Sequence, residues 1–320
     1  AILLLGLLPH VSADYIHWVD FRLSAPVLRS ALELDMASQG GEQPLDWIDI
    51  LALAAAWRGG TGVTVADTQR AAQALRGDTP PERLPGMAGR CFSYYRAAYG
   101  AALGGLVGHF AIRRTDPQTG EAEWIPAYGL KAFSPIAAGY PWSHYPDFGA
   151  QRSYGYARPH LGNDILGALG TPICAVEGGT VEALGWNRYG GWRIGIRSDD
   201  RKRYYYYAHL RKDAPYAEGL AVGQRVQAGE VIGFMGRTGY SAQENVNNIE
   251  TVHLHFGLQL IFDESQKECD SEIWIDVYPI IELLASHCSS VARDPQTGRW
   301  ERLYPYCDLD AEPLRSAAAR

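Results

Sequence analysis

A chain of 320 residues, 47% hydrophobic and 20% charged, is long enough for two folded units and ordinary for a globular protein. Its net charge of −7 excludes the basic footprint of a nucleic-acid binder, and no run of like charge forms a binding tail. The five cysteines (Cys91, Cys174, Cys269, Cys288 and Cys307) contain no Cys-x-x-Cys pair, which excludes a structural zinc knuckle.

An odd number of cysteines leaves at least one thiol free. One bridge among the last three suits an oxidising compartment, and the sequence does not choose the pair. The run Ala1–Leu8 is wholly apolar and meets Pro9. It is far shorter than the roughly 20 residues a membrane span needs. Residues 1–13 therefore read as the outer end of a membrane anchor or signal segment that continues upstream of residue 1. This predicts an exported protein, held at the outer face of the cytoplasmic membrane or in the cell wall.

Residues 14–107 carry a helical pattern. Ser24 suits an N-cap with Pro26 in the first turn, followed by Leu28, Leu32 and Met36 on one face. A second helix places Leu45, Ile48, Leu51 and Ala55 together and stops at Gly59-Gly60. A third is expected near 66–75, and a fourth from Ser93 to Leu106 after a Pro-rich loop. Trp57, Tyr95 and Tyr99 are expected in the core. Residues 108–147 read as a hairpin and linker, with Asp116-Pro117-Gln118-Thr119-Gly120 as the turn. The same five residues recur at 294–298, a shared turn and not a repeat architecture.

From 148 to 285 the texture changes to short β runs between Gly-rich turns, at 173–176, 180–184, 192–197, 204–208, 231–235 and 253–260. Along Tyr204–Tyr207, strand alternation sends two tyrosines each way. The expected fold class is α+β multidomain, a helical N-terminal region followed by an antiparallel β domain, with 286–320 as a C-terminal tail.

His253-Leu254-His255 on a strand projects both imidazoles from one face. In Pro159-His160-Leu161-Gly162-Asn163-Asp164, an extended chain would hold His160 and Asp164 about 13 Å apart. Pro159 and Gly162-Asn163 favour a bend that folds both side chains inward. His, Asp and a further His are the donor set of a catalytic zinc that keeps one position open to water. No His-Glu-x-x-His helix is present. A proton acceptor is then needed, and His253, on the strand face of His255, is the natural candidate. His209, at the end of the 204–208 strand, is placed to stand beside a developing oxyanion.

The segment resembles the lysostaphin-type (LytM-like) zinc metallopeptidases of bacterial cell-wall turnover. The matching pieces follow the family's order. His160-Leu161-Gly162-Asn163-Asp164 matches its His-x-Gly-x-Asp motif, and Gly170–Val181, Asn187–Gly191 and Tyr207–Leu210 follow. Val222–Gly233, Thr238-Gly239 and His253–Phe256 complete the series, which leaves 14–147 unaddressed. The resemblance implies a zinc-peptidase domain over 148–285 with one Zn2+ per chain. It implies His160, Asp164 and His255 as zinc ligands, His253 as general base, His209 as the transition-state-stabilising histidine and Tyr154 as a catalytic tyrosine. It also implies peptidoglycan peptides as substrate, and says nothing of oligomeric state. Gly257 departs from the glutamate many relatives carry, and Ser241–Glu250 is an insertion expected to reshape one groove wall. Tyr154 and Trp186 are expected along the walls.

An inactive scaffold or activator is the competing reading, disfavoured because all five polar positions are present. A lipoyl- or biotinyl-type carrier is suggested by Val222–Gly233 but needs a lysine at a hairpin tip, and none lies between Lys212 and Lys267.

Overall fold

Pro26 fixes the first turn of α1 (Ala25–Ser38) behind Ser24, although the Ser24 side chain makes no capping bond. The computed structural model describes residues 15–267 and 271–311; the expected anchor segment at 1–13 and Cys269 lie outside the described residues. Leu28 and Leu32 enter the core, but Met36 is 43% exposed. Eight residues of α-helix carry a side chain roughly 80° around the axis, which turns Met36 off the buried face.

α2 (Trp47–Arg58) starts behind Asp46, whose carboxylate accepts from Ile48 N, so Leu45 precedes the helix. It ends on Gly59 in the left-handed region at φ 63°. Between Trp47 and Ala56 only Asp49 escapes full burial, because α1, α3 (Val65–Leu75) and α4 (Met87–Leu103) surround α2. A one-faced pattern was too narrow for a helix buried all round. α3 opens with a capping box between Thr64 and Asp67. α4 begins at Met87, ahead of the expected Ser93, because Gly89 serves as a contact point and does not break the helix. A Cβ there would lie 2.3 Å from the Leu84 carbonyl oxygen. Tyr95 and Tyr99 are buried, while Trp57 is half-buried beneath Arg70.

β1 (Val107–Thr115) and β2 (Ala122–Leu130) form the expected hairpin. Asp116 Oδ1 accepts from Gln118 N and Thr119 N, at 2.7 and 3.2 Å. At the second copy of the turn, Asp294 Oδ1 accepts from Gln296 N and Thr297 N at 2.6 and 3.2 Å.

The β half begins with β3 (Trp142–His144), β4 (Gln151–Arg152), β5 (Arg158–Pro159), β6 (Asn163–Gly167) and β7 (Pro172–Cys174). It continues with β8 (Gly179–Asn187), β9 (Gly191–Ser198), β10 (Arg203–Ala208), β11 (Arg225–Val226), β12 (Val231–Phe234), β13 (His253–Leu260) and β14 (Ile273–Trp274). An eight-stranded sheet runs β11-β8-β9-β10-β13-β6-β3, with β14 also on β13. Its ladders are antiparallel, and no helix falls between 170 and 260 among the described residues. The chain is thus α+β as expected.

α5 (Tyr278–Leu284) follows, then the hairpin β15 (Val291–Arg293) and β16 (Trp300–Arg302), and β17 (Tyr306–Asp308), which pairs with β1. Tyr205 and Tyr207 point into the core and Tyr204 and Tyr206 to the other face, the expected alternation. One buried apolar cluster joins Leu28, Leu51 and Tyr99 of the helices to Ile196, Tyr205 and Phe256 of the sheet. At that seam Arg203 pairs with Glu177 (Nε to Oε2, 2.7 Å) and donates to the Ala101 carbonyl of α4 at 2.8 Å.

Candidate metal centre

β13 carries His253 and His255 two residues apart, so both rings leave one face while Leu254 is fully buried behind them. Antiparallel β6 places Asp164 opposite His255. Between β5 and β6 the chain bends at Leu161-Gly162 and returns His160 over the same spot, its Nε2 2.9 Å from Asp164 Oδ1. Glycine is required at the bend, since a Cβ on Gly162 would lie 2.7 Å from His255 Cε1.

Three donor atoms therefore meet. His255 Nδ1 is 3.1 Å from Asp164 Oδ1 and 2.7 Å from His160 Nε2. Among the described residues these three form a metal-capable group, with ligand atoms all within 4.8 Å of one another. Zinc bonds of about 2.0–2.1 Å in a tetrahedron separate ligand atoms by roughly 3.3 Å, so the triangle suits one such ion. Two imidazole nitrogens and one carboxylate oxygen also match zinc's donor preference.

The centre is held from behind. His160 Nδ1 faces the backbone oxygen of Asp147 at 3.1 Å and its carboxylate at 3.2 Å, both acceptors, so that nitrogen carries the proton. Nε2 is thereby the nitrogen turned to the centre. Asp147 accepts in turn from Asn163 Nδ2 and Arg152 Nη2, each at 3.0 Å. Arg152 Nη2 also reaches Asp164 Oδ2 at 2.9 Å, which leaves Oδ1 to the centre. Asn163 Oδ1 meets His144 Nδ1 at 2.6 Å, and His144 Nε2 meets Glu282 of α5 at 2.7 Å. Burial opposes the charge on Asp164, but the His160 and His255 rings set against its Oδ1 outweigh it and hold the carboxyl well below its usual range.

His209 sits just past β10 at φ 60°, a left-handed backbone uncommon outside glycine. Its Nδ1 meets the Thr238 carbonyl at 2.8 Å, and His253 Nδ1 meets the Thr251 carbonyl at 2.9 Å. A carbonyl only accepts, so each Nδ1 carries a proton, and the lone pair of a neutral ring would lie on Nε2. The two rings are 4.7 Å apart, and His253 Nε2 is 3.8 Å from Asp164 Oδ1. Burial, then the neighbouring His253 and His255, push His209 far below the usual imidazole range and keep it neutral.

The sheet thus brings together His160, Asp164, His255, His253 and His209. Tyr154 stands one ring further out, stacked on Tyr240 at 4.6 Å, and the Tyr240 ring lies 5.9 Å from His209. A groove of about 440 Å³ opens here, walled by Tyr189, Tyr206, Tyr240 and Trp274. Trp186, expected on a wall, instead packs edge-on against Trp192 at 5.7 Å and donates to the Ser241 carbonyl. It braces the 241–250 segment from outside, because Trp192 and Ser241 take up its ring and its N–H.

Sequence reading missed Asp147, Arg152 and Tyr240. Asp147 lies between Pro146 and Phe148 in a stretch that reads only as a turn, and no spacing ties it to His160. Arg152 had one available signal, its position on the short strand that pairs with β5 just before His160.

Residues 158–268 match Peptidase family M23. The chain is 35% identical over 177 residues to the L-Ala–D-Glu endopeptidase of Bacillus subtilis (strain 168), covering 52% of each. It is 38% identical over 98 residues to the glycyl-glycine endopeptidase ALE-1 of Staphylococcus capitis, covering 30% of this chain and 24% of that protein. The chain thus spans about half the length of the first relative and a quarter of the second. The catalytic domain of lysostaphin from Staphylococcus simulans aligns over 45% of this chain and 92% of that one, at 29% identity and a TM-score of 0.33. The match over 158–268, which holds His160, Asp164 and His255, makes that stretch a Peptidase family M23 domain.

Proposed function

We propose that the chain is a zinc-dependent endopeptidase that hydrolyses peptide cross-links of bacterial peptidoglycan. The observation that carries this reading is the triangle of His160 Nε2, Asp164 Oδ1 and His255 Nδ1 beside two histidines whose Nε2 lone pairs are unspent. One zinc held by His160, Asp164 and His255 would supply an acidified water and polarise a scissile carbonyl. His253 then takes the water's proton at Nε2, its ring kept in one orientation by the Thr251 carbonyl. His209 turns the same kind of nitrogen to this space; to donate to the oxygen on which charge develops, the neutral ring must carry its proton on Nε2, so its Nδ1 bond to the Thr238 carbonyl would have to give way when substrate binds. Tyr154 acts through its stack on Tyr240, which borders His209.

An open groove along a sheet suits an extended peptide with small side chains, the chemistry of cell-wall cross-links. The names of the relatives in Bacillus and Staphylococcus support the same class. On this reading the catalytic unit expected at 148–285 also takes in β3 and Asp147 from the stretch 108–147 expected as hairpin and linker, 14–107 is a helical unit of unassigned role, and 286–320, expected as a C-terminal tail, returns a strand to β1. The substrate places the enzyme outside the cytoplasmic membrane. No helix among the described residues is long and apolar enough to cross a membrane.

The test is release of new amino termini from purified cell walls and from casein, with zinc measured on the same sample. Walls should be cut and casein spared, with one zinc per chain. Efficient casein cleavage with untouched walls would favour a general protease.

A further inference from the structure

Five groove-lining residues carry formal charge: Arg152, Arg158, Arg193, Asp164 and Glu272. Four are engaged. Arg152 bridges Asp147 and Asp164, and Arg158 donates to the Tyr154 carbonyl while lying 4.7 Å from the Tyr189 ring centre. Glu272 accepts from the Trp274 indole at 2.8 Å. Arg193 is different: among the described residues its side chain has no hydrogen bond and no ion pair, and its Nε is buried with no partner.

Its position turns this unpaired guanidinium toward the groove. On β9 the next residue, Ile194, is fully buried on the core side, so Arg193 rises from the groove face. Ile194 pairs with Tyr207, whose neighbour Ala208 pairs with His255. Arg193 is therefore two strands from the zinc-ligand strand, roughly 10 Å across the sheet. Its partner on β8 is Gly185, and no heavy atom lies within 4 Å of where a Cβ on that glycine would stand. With Nε enclosed, the two terminal nitrogens are the edge the guanidinium offers. That planar edge fits a carboxylate with two parallel hydrogen bonds.

We propose that Arg193 determines specificity by pairing with a carboxylate on the substrate residue that flanks the scissile bond. The enzyme then selects an acidic peptide over a neutral one such as oligoglycine. The inference rests on the peptidase reading for its cleavage consequence, but not for the binding itself.

Two matched probes test it: acetyl-Ala-Glu-Ala amide, with Glu in either configuration, and the same peptides with Gln. Each is offered to the zinc-loaded full chain and to Arg193→Gln, with cleavage and equilibrium binding both measured. The wild type should bind the better-fitting Glu peptide about tenfold or more tighter than its Gln counterpart, with the difference in KM if cleavage occurs. Arg193→Gln should bring that ratio close to one while keeping its zinc, and Arg193→Lys should restore part of it, since charge returns without the fork. Equal binding of Glu and Gln peptides by the wild type, or a preference that survives Arg193→Gln, overturns the proposal. Arg193-dependent binding of peptides that are never cut would instead sink the peptidase reading and leave the carboxylate site standing.

Discussion

His255 directs its Nδ1 at the Nε2 of His160 across 2.7 Å, so the two rings present different nitrogens to one point. Nδ1 is the nitrogen nearer the backbone, which draws the His255 ring close over its own strand and against Gly162. A Cβ at 162 would meet both Cε1 and Nε2 of that ring, at 2.7 and 2.8 Å. Gly162→Ala should therefore lose most bound zinc and most activity while its far-ultraviolet dichroism stays that of the wild type. Full zinc occupancy in this variant would show that the ring has room to retreat.

Removing a ligand and removing a proton acceptor should separate cleanly. His160→Ala and His255→Ala should lose both zinc and cleavage. His253→Ala should keep zinc and lose roughly 10²–10⁴ in rate, because its Nδ1 is tied to a carbonyl and its Nε2 stands 3.8 Å from Asp164 Oδ1. Equal zinc loss in all three would erase the distinction between ligand and base.

Asp147 touches the centre only through others, as a positioning residue for His160 and Arg152. Asp147→Ala leaves the backbone oxygen of residue 147 on His160 Nδ1, and with it the tautomer, but removes the carboxylate behind the ring and the anchor of Arg152, and should weaken zinc affinity about 10–100-fold. Titration with a competing chelator reads this directly, and saturating zinc should return much of the lost activity. An unchanged affinity would mean that packing alone orients the ring.

Acid sensitivity is expected far from the centre as well. Burial opposes the charge of Asp67, but the Thr64 hydroxyl and Arg58 outweigh it and lower its pKa. A depressed carboxylate stabilises the fold above its unfolded value near 3.9, and that contribution is lost as pH falls through the folded value. Asp67→Asn should cost about 1 kcal/mol at neutral pH through the α3 cap. Denaturant midpoints of the two proteins should begin to converge as pH falls below about 4 and meet only beneath the lowered folded value. A gap that does not narrow as pH falls would point to shape and not charge.

The parts of this molecule that were legible in the sequence are those governed by local periodicity. His253–Leu260 could be read as one strand because alternation alone puts two histidines outside and Leu254 inside. The end of α2 could be read because Gly59 meets a local conformational need. The start of α4 could not, since the contact that asks for Gly89 comes from the Glu82 and Leu84 carbonyls and leaves no periodic mark. Among site residues, those in short motifs were found. Asp147 and Tyr240 were not, because only the folded chain brings them to His160 and His209. Trp186 was misplaced on the groove wall for a related reason, since its position depends on the neighbouring Trp192 and on Ser241.

The Arg203 guanidinium is fully enclosed between Glu177 of the sheet half and the Ala101 carbonyl at the end of α4. Arg203 and Glu177 both belong to the sheet half, so parting it from the helices leaves the ion pair whole but breaks the charged hydrogen bond to Ala101, a loss of about 1.5–3 kcal/mol, and opens the apolar cluster the two halves share. Heating should consequently melt helices and sheet in one cooperative step. The groove then owes its stiffness to helices that supply none of its lining, and a chain trimmed back to the sheet would be a softer molecule before it was an inactive one.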